Sequence, residues 1–574
     1  MEKIKRFLPL VLVIVLSFFA IAPLLHPGFF PVHDDTQVQR VFEMTKSLKS
    51  GMFPVRWVQD LGFGYGYPIF NFYAPLAYYA GSFFNLLGFD PLFSAKAMMA
   101  LGILLSGVFM YLLADELFGK LAGIVSALFY VYAPYHAVDI YVRGDVAEFW
   151  AYAFIPLAFY GVLKTFREKN FKGVATAALG FAGIILSHNL TAMMVFPFLF
   201  VFVWILAFVP FKREKKTYLY LFAGLILGVL VSCFYWLPAL SEMKYSNVLS
   251  QVGGYQNNFV CLTQLWTSPW GFGGSVPGCV DGMSFMIGKS QILISLIALI
   301  LAITVYFYKK KKETRKWLLI ALVSFFGLAF SAFLTLSYSD FIWQNIPLMN
   351  YFQFPWRFLL MVLFFCAILA GLFVKLLEYL PVKKYPKHFK FGVASLLILT
   401  LILVSTKYFF TSPTSHNGSI EYAGIYGSNP SLYTSDYAVK WLVSRLTYEY
   451  MPPGFFVPQN PDQVSDGKVK TVYGSALVDY LKIDPQNYDF TTYSDSNVAI
   501  LIPIAYFPFW NIKVDGQKTG FSSVQKGILI NLAAGNHTVT LSYDQTPIEK
   551  TADLVSIAGM LLLVTGIIHK KRHR

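Results

Sequence analysis

The fold is decided by the stretch from residue 7 to residue 40, which reads FLPLVLVIVLSFFAIAPLLHPGFFPVHDDTQVQR. Its first part, to Leu25, is apolar and long enough to cross a bilayer as a helix. The polar part that follows gathers His33, Asp34 and Asp35 close to the membrane surface. Because ionised groups beside hydrocarbon are costly to desolvate, carboxylates in this place predict a functional use. The stretch therefore indicates a membrane protein whose reactive corner follows its first span.

The composition also indicates a membrane protein. The chain has 574 residues, of which 56% are hydrophobic and 13% charged, and its mean hydropathy is +0.54. A soluble domain could not bury this much apolar surface. The net charge of +15 does not indicate a nucleic-acid partner, because the basic residues form short runs between apolar segments. We expect a polytopic α-helical protein whose first partner is the lipid bilayer.

About twelve apolar segments have spanning or near-spanning length, at ~20 residues per span. They lie at 7–25, 93–113, 119–135, 147–165, 172–187, 189–209, 217–238, 290–308, 317–336, 356–377, 390–408 and 553–569. The segments at 119–135 and 172–187 are short, so the count can change by two. The first segment resembles a signal peptide but lacks a small-x-small cleavage site, and we interpret it as a retained span.

The basic residues predict the orientation. With the amino terminus in the cytoplasm, six basic clusters fall on the cytoplasmic side, as the positive-inside rule requires. They lie at 3–6, 167–169, 212–216, 309–312, 383–384 and 570–572. We therefore expect a multi-pass protein of the cell membrane whose large loops and carboxyl-terminal domain are extracytoplasmic.

The chain divides into three predicted parts. Residues 1–408 form a transmembrane domain with an acidic first outer loop at 26–92, residues 409–552 an extracytoplasmic β-rich domain, and residues 553–574 a final transmembrane helix and basic tail. The β-rich part has alternating stretches that predict strands, and it is large enough for a β-sandwich-like domain. These stretches lie at 469–473, 511–516 and 535–543, with a hairpin signal at Asp515-Gly516 and a predicted helix at 435–450.

The first outer loop has two further features. Residues 36–50 predict a helix, which Gly51 ends. The segment from Gly62 to Leu76 alternates glycine with aromatic residues, a pattern that predicts a close-packed turn whose rings lie at the membrane interface. These rings could flank a sugar or an isoprenoid, or form an aromatic belt.

Two of the four cysteines, Cys261 and Cys279, share one predicted outer loop, where disulfides persist. A bond between them would be worth ~3 kcal/mol in the chain-entropy model. Free thiols are the alternative. Cys233 and Cys366 lie in predicted spans and are interpreted as packing residues.

Arginines at the ends of predicted spans are candidates for binding an anion. Arg56, Arg143 and Arg357 could each hold a lipid phosphate, or could be snorkelling or structurally paired residues. Glu148 stands near Arg143 at the start of the fourth span, and the triplet formed by Arg143, Gly144 and Asp145 is interpreted as chance. His188 could belong to the site, and the alternative interpretation is a hydrogen-bonded residue of a turn.

A carboxylate pair beside arginines at a membrane surface suits sugar transfer from a lipid phosphate. The carboxylate would deprotonate an acceptor hydroxyl while arginines neutralise the departing phosphate. A structural alternative makes Asp35 a helix cap beside a solvated Asp34. At the level of function, the alternatives are a non-catalytic assembly or sensory protein and a lipid-linked glycan transporter. The transporter is disfavoured because ionisable residues avoid the middle of the spans.

Several short motifs of the sequence resemble those of a known family. They are His33-Asp34-Asp35 with Gln37 and Arg40, Pro54 to Trp57, Gly64 to Pro68, Phe72 to Leu76, Arg143-Gly144 with Glu148, Ser187 to Asn189, Phe354 to Phe358, Phe507 to Asn511, Val514 to Gly516 and Ala534 to His537. The chain resembles the GT-C superfamily of membrane glycosyltransferases. It is more closely similar to the bacterial membrane proteins named for a 6-pyruvoyl-tetrahydropterin-synthase-related domain and to their YfhO-like relatives. The zinc-binding histidines of the soluble pterin enzyme are not visible.

GT-C membership implies a polyprenyl-phosphate sugar donor, a glycan, lipid or cell-envelope polymer as acceptor, and inverting transfer. The implied base is Asp34 or Asp35, with a slight preference for Asp34 and with Asp35 as its hydrogen-bond partner or a metal ligand. A divalent metal, held by Asp35 and Glu148, is one implied route. The scarcity of a second acidic cluster favours the other, in which basic side chains hold the phosphate. The implied substrate and phosphate-binding residues are His33, Arg56, Arg143, Glu148 and Arg357, with His136 and His188 behind them.

Overall fold

The computed structural model describes residues 2–208, 215–381, 386–412, 437–444 and 448–572. Four predicted features lie partly outside these residues: the basic residues at 212–214, those at 383–384, residues 413–436 of the outer domain, and residues 435–436 and 445–447 of the helix predicted at 435–450.

Most of the described chain is α-helical. The helices are α1 (Glu2–Leu16), α2 (Phe18–Ile21), α3 (Gln37–Lys49), α4 (Ile69–Phe72), α5 (Leu76–Leu86), α6 (Pro91–Phe118), α7 (Lys120–Val131), α8 (Pro134–Val138), α9 (Val146–Glu168), α10 (Phe171–Ser187), α11 (Asn189–Phe208), α12 (Lys215–Val231), α13 (Cys233–Glu242), α14 (Leu262–Trp266), α15 (Lys289–Lys309), α16 (Lys312–Leu334), α17 (Asp340–Asn345), α18 (Leu359–Leu376), α19 (Pro386–Ser405), α20 (Tyr437–Ser444) and α21 (Pro547–Arg572).

The long helices coincide with the predicted apolar segments. In the described part of the chain, eight helices are long and apolar enough to cross a membrane, and two further segments are helix pairs bent by 47° and 63°. The first bend, between α7 and α8, falls at Pro134, which cannot continue the helical hydrogen bonds. Two shorter apolar helices, Phe171–Ser187 and Asn189–Ile205, match the remaining segments. The polytopic helical class is confirmed, whereas the number of spans and their orientation stay predictions.

The predicted carboxyl-terminal β domain is also confirmed. Its strands are β1 (Lys470–Tyr473), β2 (Leu477–Asp484), β3 (Asn487–Ser494), β4 (Val498–Ile502), β5 (Trp510–Val514), β6 (Gln517–Lys518), β7 (Ser522–Val524), β8 (Gly527–Leu532) and β9 (Gly535–Tyr543). They form two antiparallel sheets, with orders β1-β4-β8-β7 and β2-β3-β9-β5-β6. Asp515 and Gly516 join β5 to β6 with φ angles of 52° and 79°, so both adopt the left-handed conformation of a two-residue hairpin turn.

The β domain covers the glycine and aromatic segment of the first outer loop. The Trp57 ring lies 5.5 Å from both Phe509 and Trp510, and Phe72 lies 5.9 Å from Phe507. Phe72 of this segment and Trp57, which precedes it, therefore pack against the β domain. The position of the segment's rings at the membrane interface stays a prediction. We call the side of the helical bundle that carries the β domain the domain face.

The last helix is tied to the same loop. Buried Arg56 donates to Asp553 over 2.8 Å, and its Nε lies 3.6 Å from the Glu549 carboxylate. Helix α21 begins at Pro547, six residues before the predicted start of the final span at 553. Hydropathy misses this first turn because its charged side chains are matched by a partner elsewhere in the fold.

The loop between α13 and α15 contains the two predicted outer cysteines. Cys261 and Cys279 form a disulfide with their Cα atoms 5.5 Å apart. Cys233 and Cys366 are unpaired and buried, as expected of packing residues.

Replacement of Gly66 by alanine tests how closely Trp57, whose ring contacts the β domain, packs within the first loop. Gly66 has φ +82°, and an added Cβ would lie 1.9 Å from the Trp57 ring. Gly516 has nearly the same φ, +79°, but open space around it, so Gly516→Ala is a matched control for backbone strain alone. We expect Gly66→Ala to cost about 1–3 kcal/mol more than Gly516→Ala, measured by thermal unfolding in detergent. Equal losses would contradict the packing.

Candidate functional site

The acidic stretch is fixed to the turn that precedes α9. The amide of His33 donates to the Val142 carbonyl over 3.0 Å, and the amide of Asp34 donates to the Arg143 carbonyl over 2.8 Å. Gly144 has φ +64°, and a Cβ there would lie 2.6 Å from the Val32 side chain, so the approach requires glycine. Two loops that are about a hundred residues apart in the chain thus form one site on the domain face.

Arg143 is the centre of this site. Residues Asp139–Arg143 form one π-helical turn, a feature often found at functional sites. The guanidinium donates to Asp139, to Glu148 over 2.8 Å and to Asp145 over 2.7 Å, and it stacks 4.5 Å from the Trp356 ring. All three carboxylates are buried. Arg143 therefore has its charge fully matched by protein groups.

Arg357 approaches the same carboxylates but keeps part of its guanidinium open. Its Nε donates to Glu148 over 3.0 Å and its Nη1 to the Phe352 carbonyl over 2.8 Å. Its Nη2 lies 3.9 Å from Asp145 and makes no hydrogen bond to any residue that the structure describes. This edge of Arg357 could therefore bind an oxygen anion.

Asp34 differs from the other acids of the site, Asp35, Asp139, Asp145 and Glu148, because it is not fully buried. Its side chain is half-buried, and its carboxylate accepts no hydrogen bond from the described residues. Burial and the charge of Asp145 raise the pKa of Asp34 to about 6, although Arg40 and Arg143 act in the opposite direction. A carboxylate with this pKa is ionised at neutral pH and can still take a proton, which suits a general base.

Arg40 is a site residue whose role the sequence reasoning missed. It is buried in α3, donates to the Tyr78 hydroxyl over 3.1 Å and stacks 4.5 Å from the Tyr73 ring. Its charge lowers the pKa of Asp34. Its spacing of six residues from Asp34, on a predicted helix, was the available signal.

The predicted histidines differ in position. His33 is exposed, with its Nε2 3.4 Å from the Phe272 carbonyl oxygen. His188 joins the cluster: burial and Arg357 lower its pKa to about 4, so it is neutral and paired with Thr191 over 2.8 Å. His136 is fully buried with its ring 4.6 Å from Tyr152, in the helical core.

Asp35 and Arg56 complete the set of predicted residues. Asp35 is buried beside Asp34. The contacts of Arg56 are with Asn71 and the last helix, which is a different set of residues from the Arg143 cluster.

The expectation that a second acidic cluster is scarce is wrong. Oxygens of Asp139, Asp145 and Glu148 lie within 4.8 Å of one another, and Asp35 is not part of this group. Asp145, from the triplet interpreted as chance, also caps α9 through the Glu148 amide. Since Arg143 already donates to all three carboxylates, they do not fit a metal ion unless that guanidinium leaves.

Three comparisons place the chain among known proteins. The model of the family described as "6-pyruvoyl-tetrahydropterin synthase related domain; membrane protein" matches residues 70–412. An uncharacterised protein of Lactococcus lactis subsp. cremoris strain MG1363 is 24% identical over 244 residues, which are 41% of this chain and 39% of that protein. The chain thus aligns with less than half of this relative's length.

Three solved structures show a distant similarity to this chain. The Archaeoglobus fulgidus oligosaccharyltransferase in the apo form has 12% identity and TM-score 0.38, covering 79% of this chain and 57% of that chain. The arabinofuranosyltransferase AftD from Mycobacteria has 13% identity and a TM-score of 0.45, and the match covers 76% of this chain and 29% of that chain. ArnT from Cupriavidus metallidurans, bound to undecaprenyl phosphate, has 14% identity and a TM-score of 0.40, and the match covers 78% of each chain.

At these identities and TM-scores, the chemistry has to be argued from this chain's own residues. The family model, in contrast, covers more than half of the chain. The protein therefore belongs to the 6-pyruvoyl-tetrahydropterin-synthase-related family of membrane proteins.

Proposed function

We propose that the protein is a membrane glycosyltransferase that moves a sugar from a polyprenyl-phosphate donor to an acceptor hydroxyl at the domain face. One observation carries the proposal: the half-buried Asp34 carboxylate accepts no hydrogen bond from the described residues, has a pKa of about 6 and lies beside arginines. The acceptor would be a glycan, a lipid or a cell-envelope polymer.

Asp34 would act as the general base. The ionised carboxylate takes the proton of the acceptor hydroxyl while that oxygen bonds to the anomeric carbon of the donor. The bond between this carbon and the phosphate oxygen breaks in the same step, and its electrons leave with the polyprenyl phosphate. A single displacement of this kind inverts the anomeric configuration.

The two arginines would have different roles. Arg357 presents the open Nη2 and would bind the departing phosphate, because a charge-assisted hydrogen bond is strongest where water is scarce. Arg143 is surrounded by carboxylates and would position the site rather than bind the donor. Arg56 contacts the last helix and has no proposed part in the reaction.

Asp34→Asn tests the base. We expect the variant to lose turnover at least about a hundredfold, since amide cannot take the proton. In the unmodified protein turnover should rise with pH through about 6, because only the ionised form of Asp34 is active. The measurement is transfer of labelled sugar from a panel of polyprenyl-phosphate sugars to added glycan or lipid acceptors by the purified protein in nanodiscs.

The controls for this experiment separate the neighbouring carboxylates. Asp479 is an exposed residue of strand β2, and Asp479→Asn should leave turnover unchanged. Asp35→Asn should keep the pH dependence near 6 even if its rate falls. A pH profile that disappears in Asp35→Asn and persists in Asp34→Asn would assign the base to Asp35 instead.

Arg357→Lys tests the phosphate contact. Lysine keeps the positive charge beside Glu148 but removes the planar Nη2 edge. We expect the Kd for polyprenyl phosphate to rise about tenfold, with a small change in unfolding temperature. Unchanged affinity, measured by titration in nanodiscs, would contradict the assignment.

Arg143→Gln tests the structural role of the central cation. Removing it leaves three buried carboxylates without their main partner, and we expect a loss of about 3–5 kcal/mol in stability. Exposed Arg315 provides the matched control, and Arg315→Gln should unfold like the unmodified protein. Equal unfolding temperatures for both variants would show that Arg143 does not hold the site together.

A further inference from the structure

A cavity that does not include Asp34 lies where the first outer loop meets α20 and the β domain. Its volume is about 240 Å³, room for about eight water molecules at ~30 Å³ each. Clefts between domains are preferred sites for small ligands. The cavity walls include Tyr65 of the loop, Lys440 of α20 and Tyr488 of the β domain.

Two donor groups in this cavity make no hydrogen bond to a residue that the structure describes. Lys440 is 8% exposed, has the Tyr437 ring at 5.8 Å and lies near the charges of Asp60 and Asp466 without forming an ion pair with either. Tyr65 is 7% exposed, and its hydroxyl likewise makes no hydrogen bond within the described ranges. Neither Lys440 Nζ nor Tyr65 Oη is among the fully buried atoms without a partner, so both donors face the cavity and not the packed interior. The two groups can therefore donate to a molecule bound in the cavity.

The acceptors of the cavity are carboxylates. Asp60 pairs with Lys46 over 2.6 Å, Asp484 pairs with Lys482 over 3.2 Å, and Asp466 lies 3.8 Å from exposed Lys470. Asp484 also accepts from the Gln486 amide over 2.8 Å and from the Asn487 side chain over 3.0 Å, so its oxygens are already occupied. Oxygens of Asp60 and Asp466 remain available for further hydrogen bonds, since a carboxylate accepts about four.

The mixture of groups selects the class of ligand. Three carboxylates disfavour a simple anion, and one ammonium among them disfavours a simple cation. Donors, acceptors and aromatic walls together match a compact molecule that carries several hydroxyl groups on an apolar ring face. A single sugar ring has these properties and fits the volume.

We propose that this cavity binds one sugar unit of a carbohydrate, with Lys440 and Tyr65 donating to its oxygens. The binding itself does not depend on the transfer reaction. Only the assignment of this sugar as part of the acceptor rests on the proposed function.

The test is saturation-transfer NMR on the full-length protein in detergent. The probes are free hexoses, pentoses, hexosamines and uronic acids at millimolar concentration. We expect at least one sugar to bind. Lys440→Met, which keeps the apolar stem, should weaken binding about tenfold, and Tyr65→Phe about threefold. Matched exposed controls are Lys468→Met and Tyr473→Phe, which should bind like the unmodified protein.

The outcomes separate this site from the others. Since neither group makes a hydrogen bond to a described residue, both variants should keep the unfolding temperature. Asp34→Asn should stop transfer and leave sugar binding unchanged, so that each proposal can fail alone. The inference is overturned if no sugar binds, if both variants bind normally, if inorganic phosphate displaces the sugar, or if lost binding comes with a lowered unfolding temperature.

Discussion

The guanidinium of Arg143 is the constraint on which the site depends. A buried cation must be matched by acceptors, and here the acceptors are Asp139, Asp145 and Glu148. These residues belong to a π-helical turn and to the first turn of α9, while Arg357 brings the start of α18 to the same carboxylates. Because the backbone of the acidic loop is hydrogen bonded to the carbonyl of Arg143, the position of Asp34 follows from this charge cluster.

Much of the fold could be predicted because the signals are local. A span needs only a run of apolar residues. The two bent segments are also apolar runs, so they could be predicted as spans although their bends could not. The turn at Asp515-Gly516 was predictable for the same reason, since few residues other than glycine and aspartate accept positive φ at both positions. The disulfide partners share one loop and are close in sequence.

The remainder could not be predicted because the partners are far apart in the chain. Arg56 and Asp553 are separated by 497 positions, and Arg357 and Glu148 by 209. Sequence spacing carries no information on such pairs, so Arg56 and Arg357 looked alike as arginines near a membrane surface. The charge partners of each arginine, and not its distance from an apolar run, decide whether it can bind an anion.

The same principle distinguishes the acids of the site. Asp145 and Asp34 are both affected by Arg143, yet their pKa values differ. Burial raises the pKa of Asp145, but Arg143, Arg357 and the hydrogen bond from the Glu148 amide outweigh it and hold that pKa at about 2, so Asp145 stays ionised. Asp34 forms no ion pair with a guanidinium in the described part of the chain, and burial together with the charge of Asp145 raises its pKa to about 6. Neighbouring carboxylates whose pKa values are driven apart usually have separate tasks, one structural and one in proton transfer. The permanently charged Asp145 therefore helps to make Asp34 the more basic carboxylate, and a metal ion at Asp145 would weaken this effect by neutralising its charge.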